Sequence, residues 1–313
     1  METVELLAKK SLVGKRLDLA MVDGVKGLSR RRAKTLIDSG EVYLNDRRIR
    51  ISSRALAFGD KLVFRYSPEQ KKKKTVITID ETSILYFDHG VLAINKPAGL
   101  SSQAARKGDN LHVVPLLQKY FQSKDIDLPN LSLVHRLDKE TSGVLLLADN
   151  KALAESLMDQ FRQKTVKKVY HALCYGKADD KFAVRCNLSS INPKNGMVKV
   201  VQKSGKDSET SFSLKEFFKL SRLSLVECKP ITGRSHQLRV HLAKSRLGIV
   251  GDKVYGDQSL SLGDELSALV NHHLLHARTL SFTIPSTKKS LQVKAPYPKS
   301  WKSILEKLRE LEA

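Results

Sequence analysis

Along the first 66 residues, apolar positions come in short groups separated by charges. Leu17 and Leu19-Ala20-Met21 are the apolar members of a helical stretch from Arg16 to Val22. Ser29 stands where a helix N-cap belongs, and Gly40 where a helix ends in a left-handed residue. Between them Ala33, Leu36 and Ile37 fall on one face at three-to-four spacing. Arg30, Arg31, Arg32 and Lys34 crowd the first turn and the remaining faces. Val42-Tyr43-Leu44 predicts a strand and Asn45-Asp46 a tight turn, and Gly59-Asp60 turns into a last strand, Lys61 to Tyr66. Ser67-Pro68-Glu69-Gln70 and four lysines, Lys71 to Lys74, break the pattern. Proline ends regular structure and a like-charge block repels itself, so a flexible join is expected here. The division that follows is a small domain over 1–70, a basic linker over 71–79 and a large domain over 80–313.

In the large domain, short extended patterns dominate. Val91-Leu92-Ala93-Ile94 precedes the breaker Lys96-Pro97-Ala98-Gly99, and Gly143 to Ala148 predicts a buried strand. Val166 to Cys174, Val198 to Val201, Ser211 to Leu214 and Leu223 to Cys228 are further candidates. Helical stripes are fewer: Ala152-Leu153-Leu157-Met158-Phe161, Leu238-Leu242 and Ile304-Leu305-Leu308-Leu311. Many strands, scattered helices and no regular alternation of the two predict an α+β domain. Its frame would be a large, mostly antiparallel mixed sheet with flanking helices. There is no internal repeat, no Gly-rich phosphate loop and no dinucleotide fingerprint, so no cofactor is expected.

Charge changes the picture most. The 313 residues hold 55 Lys plus Arg against 33 Asp plus Glu, a formal net charge of +22. Residues 1–74 alone carry 19 basic and 9 acidic side chains. Such a surface attracts polyanions, nucleic acid or an acidic membrane. The longest aliphatic run, Val144 to Ala148, is far too short to span a bilayer, and Met1-Glu-Thr-Val-Glu does not look like a secretory signal. A cytoplasmic protein that does not engage a membrane is therefore the expectation. Three widely spaced cysteines, Cys174, Cys186 and Cys228, argue against a disulfide framework or a thiolate zinc site and predict buried free thiols.

The small domain resembles the RNA-binding domain first named for a ribosomal protein, the S-four type. The resemblance rests on Arg16-Leu17-Asp18, Leu28-Ser29-Arg30, Leu36-Ile37, Gly40-Glu41-Val42 and Gly59-Asp60, and covers about residues 13–65. It implies that Arg30, Arg31, Arg32 and Lys34 bind RNA; a solvated basic face is the other reading of those charges.

The chemistry concentrates in Leu133-Val134-His135-Arg136-Leu137-Asp138-Lys139-Glu140-Thr141-Ser142-Gly143. A carboxylate set among basic residues just before a buried strand should stay ionised, and could serve as nucleophile or general base. An Asp that caps a turn is the alternative from position alone. The segment resembles the signature of the RluA-type pseudouridine synthases. Further parts of that pattern follow in order: Asn95-Lys96-Pro97-Ala98-Gly99, Lys168-Val169-Tyr170-His171-Ala172 and Thr232-Gly233-Arg234-Ser235-His236-Gln237-Leu238-Arg239-Val240-His241-Leu242. Then come Gly251-Asp252-Lys253-Val254-Tyr255-Gly256, Leu275-His276-Ala277 and Phe282-x-x-Pro285. Ile284 stands where the family often has His, outside these motifs.

The resemblance implies cofactor-free isomerisation of uridine in RNA: the C–N glycosidic bond breaks, the base turns, and uracil C5 bonds to the ribose. It makes Asp138 the catalytic carboxylate, adding to the uracil ring or initiating loss of the base at the sugar. Arg136 would fill the space left by a flipped base, which a flat, cationic guanidinium suits. Tyr170 would stack on the base, worth roughly 1–3 kcal/mol, or move the C5 proton through its hydroxyl. Arg239 would pair with Asp138 through a bidentate contact that orients it and lowers its pKa. Arg234 is left for sugar-phosphate contact or the surface, and Leu238 for a pocket wall or the core. His272, His273 and His276 lack the Cys, Asp or Glu at the spacing that a metal site needs, so no metal is expected.

By analogy the substrate is large-subunit ribosomal RNA or its precursor particle, bound by a monomer, with transfer RNA the runner-up. Two other classes compete: an RNA-binding assembly factor whose catalysis is lost or secondary, and a glycosidase. The latter needs two carboxylates, and Glu140 is the only second acid close in sequence.

Overall fold

The computed structural model describes residues 2–66, 77–104, 111–256 and 262–312. The chain divides into two compact units, Met1–Val76 and Ile77–Ala313. The Lys71–Lys74 run lies outside the described residues.

The first unit contains β1 (Glu2–Leu7), α1 (Leu17–Gly24), α2 (Arg30–Ser39), β2 (Val42–Leu44), β3 (Arg47–Ile49) and β4 (Lys61–Tyr66). Both expected caps of α2 are present. The Ser29 hydroxyl accepts from the Arg32 amide at 3.3 Å, and Gly40 ends the helix at φ 77°. Asn45 and Asp46 both adopt positive φ in the β2–β3 turn, as their side chains tolerate. Leu17, Met21, Ala33, Leu36, Ile37, Leu62 and Phe64 form the core against a four-stranded sheet ordered β1-β4-β2-β3. β1 was not expected. It pairs antiparallel with β4 from Glu2↔Tyr66 to Leu7↔Lys61, and the alternation Thr3-Val4-Glu5-Leu6 sets the half-buried Val4 and Leu6 on the face that packs against the core.

The second unit runs β5 (Ile84–Asp88), β6 (Val91–Lys96), α3 (Val113–Gln122), β7 (Ser132–Leu133), β8 (Ser142–Ala148), α4 (Lys151–Arg162), β9 (Lys167–Tyr175), β10 (Lys181–Leu188) and β11 (Val200–Val201). It continues with β12 (Lys206–Phe218), β13 (Leu223–Pro230), α5 (Gln237–Lys244), α6 (Asp264–Leu269), β14 (Leu275–Thr283), β15 (Ser290–Lys294) and α7 (Lys299–Glu312). The expected strand at Val198–Val201 shrinks to two residues, and Ser211–Leu214 is the middle of the 13-residue β12. The main path of the sheet is β11-β10-β12-β13-β9-β14-β8-β6-β5, with β15 on β14 and β7 on β8. Among these pairings β14–β8 is the parallel one. The class is α+β, on a mostly antiparallel mixed sheet, as the patterning implied.

β8 shows why a run of apolar residues becomes a strand here. Val144, Leu146 and Ala148 pack toward α4, whereas Leu145 and Leu147 pack toward α3, so both faces are covered. At the β9–β13 region, α5 covers one face through Leu238 and Leu242, and α7 the other through Trp301, Ile304, Leu305 and Leu308. Among the described residues no helix is long and apolar enough to cross a membrane.

Gly143 sits where β8 meets β14, at φ 111°. A Cβ there would lie 2.2 Å from the Ala277 carbonyl oxygen and 2.7 Å from two further backbone atoms. Backbone cannot move aside as a flexible side chain can. Gly143→Ala is therefore expected to destabilise the protein by at least about 2 kcal/mol in urea unfolding. A loss below about 0.5 kcal/mol, the scale of an ordinary surface change, would show that this close approach does not constrain the sheet.

Candidate active site

The segment from His135 to Gly143 leaves the sheet between β7 and β8, and side chains from four directions hold it. His135 Nε2 accepts the Leu146 amide at 3.1 Å, and its ring stacks on Phe161 of α4. Burial pulls the imidazole pKa down to about 4, with Lys168 adding to the effect, so the ring is neutral and able to accept. The Ser102 hydroxyl donates to the Leu137 carbonyl at 2.8 Å and accepts the Leu137 amide at 3.1 Å. Lys96, fully buried at the end of β6, donates to the carbonyls of Pro97, Leu100 and Lys139 at 2.9–3.2 Å. Burial lowers its pKa to about 7 while the charge of Asp138 opposes the shift. Thr141 and Ser142 are hydrogen-bonded to His273 Nε2 and His276 Nδ1, at 2.8 and 2.9 Å.

His273 and His276 are thus anchors of the loop, which accounts for two of the three clustered histidines. The third, His272, lies against Gly99. Glu140 turns toward His273, 3.6 Å from its Nδ1.

Asp138 itself remains 28% exposed and faces Arg239, whose Nη1 donates to Asp138 Oδ2 at 3.3 Å. The expected bidentate contact belongs to another carboxylate. Arg239 Nε and Nη2 donate to the two oxygens of the fully buried Asp252, at 2.7 and 2.8 Å. Asp138 receives Nη1, the nitrogen that Asp252 does not contact. Burial works against the charge of Arg239, but the two carboxylates outweigh it and raise its pKa. Burial likewise pushes Asp252 up, and the Arg239 contact more than reverses it. The Tyr255 ring stacks on the guanidinium, 4.9 Å from centroid to Cζ.

Arg239 reaches this position from α5, whose start is tied to β12. Gln237 accepts from the Thr232 hydroxyl and the Arg234 amide, and donates to the Glu209 carbonyl and the Thr210 hydroxyl. His236, the N-cap residue, has φ 54° and no capping hydrogen bond; its Nδ1 is instead 2.9 Å from the Tyr255 hydroxyl. A left-handed His costs about 1 kcal/mol, and here it turns the ring toward the cleft.

The cleft above Asp138 has a volume of about 1020 Å³. That is the top of the usual ~300–1,000 Å³ range for small-molecule sites, with room for a nucleotide and adjoining backbone. Arg136, Asp138, Tyr170, Arg234, Leu238 and Arg239 all line it. Burial and then the charge of Asp138 push the half-buried Tyr170 phenol well up, so it stays protonated. Leu238 is both wall and core: it lines the cleft and packs with Ala172 and Cys174. Arg234 is exposed and donates from Nε to the Asp207 carbonyl. In the small unit Arg31, Arg32 and Lys34 are exposed, and Arg30 donates from Nε to the buried Asp18 at 3.0 Å. A second groove there is lined by Arg47, Arg48 and Arg54, which the sequence reading did not single out. The cysteines are free; Cys174 and Cys228 are buried and Cys186 is half-buried.

The reading of the sequence gave no role to Asp252, Lys96, His135 or Tyr255. The signals were present: a Lys ending an apolar strand before Pro, and an Asp between Gly and Lys in a quoted motif. Neither told which distant partner each would meet.

Residues 90–244 match the family described as RNA pseudouridylate synthase, and residues 15–62 match the S4 domain. Ribosomal large subunit pseudouridine synthase C of Vibrio vulnificus is 32% identical over 310 residues, 96% of this chain and 95% of its own. Its namesake from Escherichia coli strain K12 is also 32% identical, over 95% of this chain and 93% of its own. The solved structure of human RNA pseudouridylate synthase domain containing 4 shares 28% identity at a TM-score of 0.58. It covers 72% of this chain and 93% of its own. Identity at this level across nearly the whole length, with the cleft in the matched region, means that the chain belongs to the RNA pseudouridylate synthase family.

Proposed function

We propose that this enzyme converts uridine to pseudouridine in large-subunit ribosomal RNA, with Asp138 as its catalytic carboxylate. The observation that carries the site assignment is the position of Asp138, accessible at the floor of a cation-lined cleft and hydrogen-bonded by the buried Arg239. The substrate follows the relatives, two of which are named for the large ribosomal subunit and match almost end to end. The working unit proposed is a monomer.

Uracil within a stacked stem is unreachable, so the nucleotide must turn out of the helix into the cleft. Arg136 then fills the vacated space, Tyr170 and Leu238 hold the base, and Asp138 meets the nucleoside. The C1′–N1 bond breaks, the base rotates, C1′ bonds to C5, and the C5 proton leaves. Arg239 holds Asp138 through one hydrogen bond while Asp252 fixes Arg239. A glycosidase reading loses ground, because Glu140 is not among the residues that line the cleft and Asp252 is buried on Arg239, so neither is placed to act as the second carboxyl.

Replacing Asp138 by Asn keeps the size and removes the charge. Tritium release from RNA containing 5-tritiated uridine should fall below detection while RNA affinity persists; activity within tenfold of wild type would overturn the assignment.

Tyr170→Ala should lose about 100-fold in turnover, near the upper end of the roughly 1–3 kcal/mol that a stacked base is worth. Tyr170→Phe separates ring from hydroxyl. Retained turnover assigns stacking, collapse at constant affinity assigns the C5 proton, and full activity of both variants would remove Tyr170 from the site.

In the small unit, changing Arg31, Arg32 and Lys34 to Gln leaves the Arg30–Asp18 pair intact. If each contacts a phosphate, the log–log salt slope of RNA binding should flatten by about 2–3. An unchanged slope in the folded variant would show that the face of α2 does not bind RNA.

A further inference from the structure

Lys168 lies in the same cleft and has no part in the steps above. It precedes Tyr170 by two residues on β9, so the two side chains leave the same face of the strand and line the same space. Its half-buried ammonium donates at 3.1 Å to the carbonyl of Thr232, in the turn that follows the neighbouring strand β13. One carbonyl occupies one of its three N–H donors. Lys164, just beyond α4, and Arg234, in the turn that follows Thr232, line the cleft as well. Burial and the charges of these two pull the Lys168 pKa down to about 8.

Among the described residues, no carboxylate lies within 4 Å of a side-chain nitrogen of Lys164, Lys168 or Arg234. Elsewhere the protein treats withdrawn cations differently: Arg239 has two carboxylates, and Lys96 has three carbonyls. Cations that converge without a counter-charge repel one another, and an arriving anion relieves the repulsion.

We propose that Lys168, flanked by Lys164 and Arg234, binds a phosphodiester group adjoining the target uridine and so anchors its ribose during base rotation. The proposal rests on the reading of Asp138 and Tyr170 as the reacting centre. It answers a need of that chemistry. Once the C1′–N1 bond is broken, base and ribose are separate fragments. Stacking on Tyr170 holds the base alone, and the ribose must stay in register by its phosphates if C5 is to meet C1′.

The test is single-turnover kinetics on a uridine stem-loop and on two versions of it, with an uncharged methylphosphonate in place of the 5′ or the 3′ phosphate of the target. Lys168→Met keeps the length of the stem, and Lys168→Arg keeps the charge. On all-phosphate RNA, Lys168→Met should lose about 30-fold in kcat/KM, as for one charge-assisted hydrogen bond, and Lys168→Arg should regain most of it. On one of the two methylphosphonate RNAs, wild type should itself lose at least tenfold, and Lys168→Met should come within threefold of wild type. That convergence is specific to a phosphate contact. If Lys168→Met loses the same factor on all three RNAs, the lysine supports the Thr232 turn and the proposal fails. It fails equally if Lys168→Met matches wild type on all-phosphate RNA, or if wild type tolerates both methylphosphonates. Wild type needs no mutation for its part of the test, so a misfolded variant cannot rescue the idea. Asp138→Asn run in parallel separates the two readings: its retained activity would remove the reacting centre, whatever Lys168 does.

Discussion

The candidate active site is built around a single buried cation. Arg239 is 8% exposed and would be untenable there without compensation. Asp252 supplies most of it through a two-point contact, the Tyr255 ring covers one face, and Asp138 takes the remaining nitrogen. Removing one partner from a buried pair typically costs about 3–5 kcal/mol, because the other charge is stranded. Three segments that are distant along the chain therefore have to meet: the Asp138 loop, the start of α5 and the turn after residue 251. The Asp138 carboxylate is oriented by a group that is itself immobile.

Immobility extends to the rest of the loop. The imidazoles among its anchors are neutral because they are buried: His135 and His276 are held to about 4. A neutral imidazole can accept an amide hydrogen bond, as His135 does from Leu146, whereas an imidazolium cannot. Hydrogen bonds at Leu137, Lys139, Thr141 and Ser142 leave the loop few alternatives, and Gly143 lets β8 pass close enough to β14 for His273 and His276 to reach it. This is pre-organisation by packing: the cost of ordering the Asp138 carboxylate is met on folding.

The basic side chains divide into two populations. Arg16 and Arg30 share the buried Asp18, and Arg239 is shared by Asp252 and Asp138, so these hold structure together. Arg136, Lys164, Lys168 and Arg234 line the cleft with no carboxylate partner among the described residues. A net charge of +22 concentrates RNA at the surface without choosing a site. Under the proposed function the choice falls to the cleft, where these cations surround the accessible Asp138.

Local signals were legible in the chain itself. Ser29 and Gly40 bounded α2, Asn45-Asp46 turned the hairpin, and the apolar run after Gly143 became the buried β8. Short, ordered motifs likewise marked Asp138, Tyr170 and Arg239, and all three came together in one cleft. What stayed hidden was partnership over long separations. Arg239 meets Asp252 across 13 residues and Asp138 across 101, and no periodicity tells which of two acids takes the fork. Thr141 finds His273 132 residues away, and β8 pairs in parallel with β14. Caps, turns and alternating faces are set by neighbours along the chain, so the sequence by itself determined them. The division of one guanidinium between two carboxylates, and the convergence of unpaired cations on the cleft, were decided only when the sheet closed around them. Until then each of these charges is solvated separately, and it is burial that makes their positions depend on one another.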